Sequence, residues 1–459
     1  MPDSIATLVV LGASGDLASR LLLPALGQLL TAEPDRRIGL LGAGAEELSP
    51  DEWRDRVRKA FGDASGDAVE DLLSRTRYQR TDVTSDDGMR GLLAQCEEPA
   101  ALYFALPPAV AAQGCQALKR VGVDPRTVLA LEKPFGTDEV SAHELNLLLA
   151  GIVGEHQVHR VDHFLGRTAV LNLLGWRFAN SIIEPVWDAR SVESVEIVFD
   201  EQLGLENRAR YYDHAGALVD MIQSHLLQVL ALFAMEPPAT LGERDLRDAK
   251  GAALRATRVW GGGPVASSRR GRYTAGRIGD RDYPDYVRED GVDPANDTET
   301  LAEVVLEVAT WRWAGVPFRL RSGKALGERR REIRVVFRPP SRVPDGLTGS
   351  AAGNVLHIEL GPERVALELN LNGPGDPDTL TREVLAAEFD PGRLPAYGEV
   401  LRGILDGDPA LSIRGDTAEQ CWRIVQPVLD AWHAGKVPMD EYPAGSDGTS
   451  GTSAHRAHN

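Results

Sequence analysis

The segment Arg160–Arg167, with the sequence RVDHFLGR, gathers several side chains that could do chemistry. It places one carboxylate, one imidazole and two guanidinium groups within eight residues. Arginine and histidine can donate charge-assisted hydrogen bonds to phosphate oxygens, so this mixture favours phosphate recognition. A charged loop at a domain junction is the alternative that the segment alone leaves open.

His225 is a second candidate, in a segment whose apolar residues recur at helical spacing. Ile222, Leu226 and Val229 mark the buried face of that predicted helix, and His225 falls at its edge. A partly buried imidazole needs a hydrogen-bond partner, and Asp162 is the candidate. A histidine at such a position is more often structural than catalytic, so a catalytic role depends on that partner.

Two further segments supply cations that could bind an anionic substrate. Lys133 follows a predicted buried strand in the segment EKPFG, and ligands bind at the carboxyl ends of parallel strands in open α/β sheets. Lys324 and Arg329 lie in the basic segment RSGKALGER. Solvated surface side chains are the alternative for both segments. Because the net charge is −18, an anionic substrate would need a local basic pocket of this kind.

The segment Gly12–Leu17, GASGDL, follows a predicted strand and opens a predicted helix. Glycines let the backbone approach a pyrophosphate, and a helix N-terminus offers free N–H groups to it. The segment departs from G-x-G-x-x-G because Ser14 lies between its glycines. A plain glycine turn therefore remains open beside a dinucleotide-binding turn.

The elements that must position these groups fall into two parts. In the N-terminal third, strands and helices alternate, which predicts an α/β Rossmann-like, doubly wound parallel sheet. Its strands are predicted at residues 7–11, 38–41, 101–106 and 128–131. From about Val158, strand candidates are not separated by crossover helices, which predicts a larger C-terminal α+β domain with a mainly antiparallel sheet. Those candidates lie at residues 194–199, 332–337 and 355–360.

We accordingly predict a dinucleotide-binding domain over residues 1–157, a second domain over 158–443, and a disordered tail over 444–459. The segment 261–297, rich in Gly, Arg and Asp, is interpreted as a long excursion from the second domain.

Composition excludes several classes of function. With 68 acidic and 50 basic residues in 459, the surface repels nucleic acid, so we expect no nucleic-acid partner. No stretch approaches the roughly 18 uncharged apolar residues of a membrane span, and the start lacks a basic signal region, so we expect no membrane partner and a cytoplasmic protein. The three cysteines show no metal-ligand spacing, so we predict no metal site.

Together these segments resemble the glucose-6-phosphate dehydrogenase family, in the family's order and over most of the chain. Further matching segments are Tyr211–Asp213, Ala234–Pro237, Thr298–Thr300 and Trp422–Val425. The resemblance implies oxidation of C1 of glucose 6-phosphate to 6-phosphogluconolactone, a reaction of the oxidative pentose phosphate pathway, with hydride transfer to NADP or NAD. It also implies a homodimer or homotetramer formed through the second domain, which would bind the substrate.

The resemblance implies roles for individual residues. His225 would be the general base on the C1 hydroxyl, and Asp162 would orient its imidazole. Lys133 would lie between cofactor and substrate. The remaining implied contacts are Glu201 and Asp220 with sugar hydroxyls, His163 and Arg167 with phosphate, Lys324 and Arg329 as substrate-binding cations, and Gly12, Ser14, Gly15, Asp16 and Leu17 with the cofactor.

Several binding positions depart from the family pattern. The family usually has Lys at Leu21, Tyr at Phe164, Lys at Arg167 and Arg at Val219, and often Gln at Gly361. These departures leave open a same-fold dehydrogenase with a shifted sugar substrate. A non-catalytic dinucleotide-binding paralogue is a further alternative, and the retained catalytic residues argue against it.

Cofactor choice depends on the end of the second predicted strand. Ala45 stands where the family often has arginine, and Glu46 and Glu47 follow. Arginine commonly recognises the 2′-phosphate of NADP, whereas a carboxylate accepts hydrogen bonds from ribose hydroxyls and repels that phosphate. The family default is NADP, so both cofactors are retained, with NAD use as a hypothesis that another cation could overturn.

Overall fold

The computed structural model describes residues 5–206, 209–349, 351–373, 375–389 and 392–448. The chain forms two compact units, each assembled from three stretches of sequence. Unit 1 comprises Met1–Leu171, Glu236–Ala252 and Pro391–Trp422, and unit 2 comprises Asn172–Met235, Ala253–Asp390 and Arg423–Asn459. The division differs from the single boundary after residue 157 that we predicted.

The sheet of unit 1 has six parallel strands in the order β3-β2-β1-β4-β5-β6. They are β1 (Thr7–Leu11), β2 (Gly39–Gly44), β3 (Arg77–Arg80), β4 (Ala100–Phe104), β5 (Val128–Glu132) and β6 (Val158–Val161). Strands β1 and β4 are buried along their whole length, as expected for continuous apolar runs in a parallel sheet. Strand order reverses between β1 and β4, where open α/β sheets bind ligands. The predicted Rossmann-like sheet is confirmed.

The described part of the chain contains thirteen α-helices, two π-helical segments and six short 3₁₀ helices. The α-helices are α1 (Leu23–Ala32), α2 (Pro50–Phe61), α3 (Asp67–Arg75), α4 (Asp86–Leu93), α5 (Pro108–Val121), α6 (Glu139–Ala150), α7 (Thr168–Phe178), α8 (Ala209–Ala217), α9 (Leu227–Ala234), α10 (Glu243–Ala256), α11 (Gly263–Ala266), α12 (Ala396–Leu405) and α13 (Gly415–His433). The π-helical segments are Ala18–Leu22 and Leu218–Leu226. The 3₁₀ helices are Glu155–Gln157, His163–Gly166, Glu184–Val186, Tyr286–Arg288, Pro294–Asn296 and Pro409–Leu411.

The core of unit 1 forms where apolar helix faces cover this sheet. Leu22, Leu26 and Leu29 of the first helical segments are buried with strand residues such as Val10. Helix α2 begins with a capping box, in which the Ser49 and Glu52 side chains bond each other's backbone N–H groups. These local signals fix the helices that surround the glycine turn.

The sheet of unit 2 has eleven strands and is mixed but mostly antiparallel. They are β7 (Val192–Asp200), β8 (Thr257–Val259), β9 (Ser268–Thr274), β12 (Leu301–Val308), β13 (Pro317–Gly323), β14 (Arg331–Phe337), β15 (Thr348–Gly349), β16 (Val355–Leu360), β17 (Glu363–Asn372), β18 (Thr379–Glu388) and β19 (Met439–Pro443). Two further strands, β10 (Gly276–Ile278) and β11 (Arg281–Tyr283), form a separate hairpin. The order is β15-β18-β17-β16-β14-β7-β13-β12-β9-β19, with β8 also on β12. The predicted α+β class of the C-terminal part is confirmed.

Two local expectations for unit 2 were wrong. The segment interpreted as an excursion contributes β9 to the main sheet, where it pairs with β12 and β19. Arg270 and Arg272 of this strand donate to the two carboxylate oxygens of Asp297 at 2.8 and 2.9 Å. The predicted tail begins too early, because Gly445 N–H donates to Ala325 O at 2.9 Å. Residues 449–459 of that tail lie outside the described residues.

The central helix of unit 2 is buried on nearly all sides. The segment Tyr211–Ala234 is long and apolar enough to cross a membrane, but 94% of its most apolar window is buried in the structure. Phe233 packs there against Trp187, with ring centroids 4.6 Å apart, and against Trp313 at 5.6 Å. The segment is therefore packed as a core helix.

Candidate active site

The glycine turn after β1 has the geometry that its sequence predicts. Gly12 has φ +84°, and a Cβ there would lie 2.3 Å from the carbonyl oxygen of Ala105. Gly12 N–H donates to Ala43 O at 2.8 Å, and Gly15 N–H donates back to Gly12 O at 3.0 Å. Only glycine allows this approach, and the π-helical segment starting at Ala18 follows directly.

A cavity of about 650 Å³ opens beside this turn. It is lined by Gly12, Ser14, Gly15, Gly44, Ala45, Arg80, Thr81, Asp82, Val83, Ala105, Leu106, Pro107 and Val110. The residues that follow β1 and β4 both line it, so it lies at the switch point of the sheet. Of the five predicted cofactor residues, Asp16 and Leu17 are not among this lining. The glycine-lined space fits the phosphate-bearing part of a dinucleotide.

The charges at the cavity rim are paired. Arg56 donates to both carboxylate oxygens of Glu46, at 2.9 and 3.0 Å, and this lowers the pKa of Glu46. Arg80 donates to Glu47 at 2.9 Å and keeps most of its side chain exposed. The rim next to Ala45 therefore presents the Glu46 carboxylate, paired with Arg56, and the mostly exposed guanidinium of Arg80.

Lys133 begins the turn at the end of β5, and its peptide bond to Pro134 is cis. The preceding Glu132 accepts a hydrogen bond from the Tyr103 hydroxyl. Burial raises the pKa of Glu132 to about 7, against the opposing hydrogen bonds from Tyr103 and Tyr397. A lysine is thus placed beside a buried carboxyl at the ligand-binding edge of the sheet.

Asp162 follows β6 and is buried. One of its carboxylate oxygens accepts a hydrogen bond from Phe164 N–H at 2.9 Å and caps the 3₁₀ helix His163–Gly166. His163 stacks on Tyr397 with centroids 5.4 Å apart and planes 7° apart, and the Arg167 guanidinium lies 4.5 Å from the Phe164 ring centroid. The segment therefore holds its acid, imidazole and guanidinium in defined orientations.

Arg160 of the same segment has a structural role. It is fully buried and donates to Glu155 at 2.8 Å and to Asn146 at 2.6 Å. Lys250, which the sequence did not single out, is also buried in unit 1. Burial lowers the pKa of Lys250 to about 8, and the Asp162 charge opposes that change.

His225 and Asp220 lie on the π-helical segment Leu218–Leu226 of unit 2 and are 1% and 3% exposed. His225 was predicted at the edge of the buried helix face with a partly buried imidazole, and this was wrong, because almost the whole helical segment is buried. Complete burial makes a hydrogen-bond partner obligatory for the imidazole. Asp162 belongs to unit 1 and His225 to unit 2, and their pairing stays a prediction.

Glu201 receives two cations. Lys324 Nζ lies 2.8 Å from one carboxylate oxygen and Arg331 Nη2 lies 2.9 Å from the other. The Lys324 ammonium also lies 4.9 Å from the centroid of the Tyr212 ring. The structure therefore brings together Glu201 and Lys324, which the sequence analysis proposed, and Arg331, which it missed.

Arg331 was missed because its position depends on strand register. It is the first residue of β14 and lies opposite Phe199 of β7, one residue before the end of that strand. Arg329, which the sequence did propose, is exposed and lies near Gly361: a Cβ on that glycine would be 3.7 Å from the Arg329 guanidinium. The run of three arginines Arg329–Arg331, whose last residue begins β14, was the one available signal for Arg331.

Two family models match the chain and together cover almost all of it. Residues 9–172 match "Glucose-6-phosphate dehydrogenase, NAD binding domain", and residues 174–459 match "Glucose-6-phosphate dehydrogenase, C-terminal domain".

Full-length relatives agree with these matches. The chain is 37% identical over 479 residues to the glucose-6-phosphate 1-dehydrogenase of Mycolicibacterium smegmatis, with 96% of this chain and 93% of that protein covered. It is 38% identical to the corresponding enzyme of Gluconobacter oxydans, with 96% and 94% covered. Among solved structures, a glucose-6-phosphate dehydrogenase in complex with glucose 6-phosphate matches with TM-score 0.86 and 30% identity, with 98% of this chain and 97% of that chain covered.

Proposed function

The chain belongs to the glucose-6-phosphate dehydrogenase family, and we propose that it is a glucose-6-phosphate 1-dehydrogenase. It oxidises C1 of glucose 6-phosphate to 6-phosphogluconolactone, with hydride transfer to NAD(P). The observation that carries this proposal is full-length similarity to such enzymes, combined with retention of Lys133, Asp162, His225 and Lys324. We also propose that the enzyme is cytoplasmic.

The proposed chemistry needs one base and one hydride acceptor. The nicotinamide ring, when bound, accepts the hydride from C1. His225 accepts the proton of the C1 hydroxyl, and Asp162 orients the imidazole and stabilises its charged form. Because Asp162 gives one oxygen to Phe164 N–H, its carboxylate is held in a fixed orientation for that role.

Substrate binding is assigned to charged groups that match substrate-binding positions of the family. His163 and Arg167 of unit 1 bind the phosphate, and the Phe164 ring supports the Arg167 guanidinium from one side. In unit 2, Lys324 and Arg329 are the substrate-binding cations. Glu201, paired with its two cations, and Asp220 accept hydrogen bonds from sugar hydroxyls.

Gly12, Ser14 and Gly15 would hold the dinucleotide phosphates in the cavity beside β1. Its adenosine ribose would then approach Ala45 and Glu46. We propose substantial use of NAD beside NADP, because the Glu46 carboxylate is held ionised by Arg56 next to a position that lacks an arginine.

Comparing the specificity constants for NAD and NADP at saturating glucose 6-phosphate tests this cofactor proposal. An Ala45→Arg variant should shift the ratio towards NADP. A strong NADP preference in the unaltered enzyme would contradict the proposal. An Arg80→Ala variant would then show whether the Arg80 guanidinium binds the 2′-phosphate of NADP.

A shifted sugar substrate is the second candidate function. Phe164 lacks the family's tyrosine hydroxyl, and Gly361 leaves open space beside Arg329 where the family often has glutamine. Turnover of glucose 6-phosphate, unphosphorylated glucose and other sugar phosphates, followed at the nicotinamide absorbance, separates these candidates. No turnover of any sugar would favour the non-catalytic paralogue.

We propose a homodimer or homotetramer built through the sheet of unit 2. Neighbouring residues of β18 point to opposite faces of the sheet, yet Val384 and Leu385 are 52% and 60% exposed. Phe389, just after this strand, is also exposed. Adjacent exposed apolar side chains of this kind are typical of an interface between subunits.

A further inference from the structure

The tripeptide Thr298–Thr300 matched a family segment, but none of the roles above uses it. It directly precedes β12, and all three residues are buried. Glu299 is only 7% exposed. A buried carboxylate is costly unless its oxygens are hydrogen-bonded, so its partners show what it does in the fold.

Glu299 bonds the start of the helix that carries Asp220 and His225. The N–H of Leu218, the first residue of that π-helical segment, donates to the Glu299 carboxylate at 2.9 Å. The N–H of Ala217 donates to the Glu299 backbone oxygen at 3.2 Å. Since the first N–H groups of a helix have no partner within it, one residue satisfies two of them here.

Gly216 shows that this contact has no spare room. Its φ is +67°, and a Cβ on it would lie 2.3 Å from one Glu299 carboxylate oxygen and 2.6 Å from the other. Any side chain at residue 216 would therefore displace the carboxylate. The glycine and the glutamate are matched, and together they set where the helix begins.

Thr300 holds the backbone of Lys324. The N–H of Lys324 donates to Thr300 O at 2.9 Å. The Tyr442 hydroxyl donates to Lys324 O at 2.8 Å and lies 2.8 Å from the Thr300 hydroxyl, which can donate to it. Both backbone polar groups of Lys324 are thus bonded to Thr300 or to its partner Tyr442.

We propose that Thr298–Thr300 is a positioning segment of the active site in unit 2. Glu299 sets the helix of Asp220 and His225, and Thr300 with Tyr442 sets Lys324. The proposal rests on the proposed function, because the roles of the positioned residues come from it. Glu299, Thr300 and Tyr442 are positioning residues, and they act through those three.

Separable kinetic effects test the proposal. Glu299→Ala should lower kcat for glucose 6-phosphate by about 10-fold or more while its KM changes by less than about 3-fold. Tyr442→Phe should do the reverse, raising KM by about 5-fold with little change in kcat. Glu299→Gln keeps an acceptor oxygen and should restore kcat. Glu303→Gln, a carboxylate change on β12 outside the segment, is the matched control.

Amide hydrogen exchange supplies a readout that needs no substrate. Exchange at Leu218 and the following amides should accelerate in Glu299→Ala and stay slow in Glu299→Gln. If Glu299→Ala does not fold, Glu299→Asp replaces it, since the shorter side chain also withdraws the acceptor. Unchanged exchange in the variant that withdraws the acceptor would overturn the proposal. The proposal would also be overturned if Glu299→Ala and Tyr442→Phe had the same effect on kcat and the same effect on KM. If the unaltered enzyme were inactive on glucose 6-phosphate, the proposed function would be refuted. The exchange result would then decide alone whether Glu299 positions the helix that begins at Leu218.

Discussion

Arg167 shows at the scale of one residue how a departure from the family pattern is accommodated. Where the family usually has Tyr and Lys, this chain has Phe164 and Arg167, with the guanidinium 4.5 Å from the ring centroid. The lost hydroxyl is worth roughly 0.5–1.5 kcal/mol as an ordinary hydrogen bond. A planar guanidinium can offset that loss, because it can bind two phosphate oxygens at once.

Replacing Arg167 by alanine should therefore raise KM for glucose 6-phosphate far more than KM for unphosphorylated glucose. Arg190→Ala, which alters an exposed arginine paired with Asp188, is the control. Steady-state kinetics on both sugars decides the matter. Equal effects on the two sugars would show that Arg167 does not bind the phosphate.

His225 carries the proton-transfer part of the proposal. Replacing it with asparagine removes the proton acceptor and should lower kcat by roughly 100-fold or more, with binding much less affected. His143→Asn, a change at an exposed histidine paired with Glu419, should leave kcat near normal. Near-normal turnover by the His225 variant would refute its assignment as the base.

At the scale of elements, His357 joins three strands of the sheet in unit 2. From β16, its ring nitrogens lie 3.0 Å from Glu332 of β14 and 2.7 Å from Glu368 of β17. The hydrogen bond with Glu332 raises the pKa of His357, against desolvation. Two carboxylate partners fit an imidazolium, which donates from both nitrogens.

The pH dependence of stability follows from that raised pKa. The stabilising contribution is complete below the unfolded pKa of about 6.5 and is lost as pH rises through the higher folded value. Because the group is partly solvated, it is worth less than about 1 kcal/mol. Chemical denaturation across this range should show a smaller loss of stability with rising pH in His357→Asn than in the unaltered protein. Identical pH slopes in the two proteins would contradict this account.

Elements were predictable where local pattern decides them. Apolar runs such as Thr7–Leu11 gave the strands, and the glycines gave the turn after β1. The start of the π-helical segment Leu218–Leu226 was not predictable, because the N–H of Leu218 bonds to Glu299, which is distant in sequence. Strand β9 was missed because its arginines are neutralised by Asp297, more than twenty residues away in sequence.

The candidate site was predictable by a different route. The family resemblance supplied Lys133, Asp162, His225 and Lys324, whereas residue types and spacing alone left each of them with a structural alternative. Arg331 could not be found in that way, since its contact with Glu201 depends on strand register.

For the whole molecule, assembly through unit 2 gives a prediction. Leu385→Glu places a charge among the exposed apolar residues of β18 and should shift the molecular mass in solution towards the monomer. Val265→Glu alters another exposed apolar residue, on α11, and should leave the mass unchanged. Light scattering coupled to gel filtration measures both variants. A monomeric unaltered protein, or an unaltered mass in Leu385→Glu, would contradict the proposed interface.

The central claim is the substrate and the reaction, and one measurement tests it most directly. The specificity constant of the unaltered enzyme is measured for glucose 6-phosphate and for glucose, with NAD and with NADP, at the nicotinamide absorbance. The account predicts reduction of the cofactor by glucose 6-phosphate, with a specificity constant far above that for glucose. Absence of reduction with both cofactors, or an equal or higher constant for unphosphorylated glucose, would contradict it.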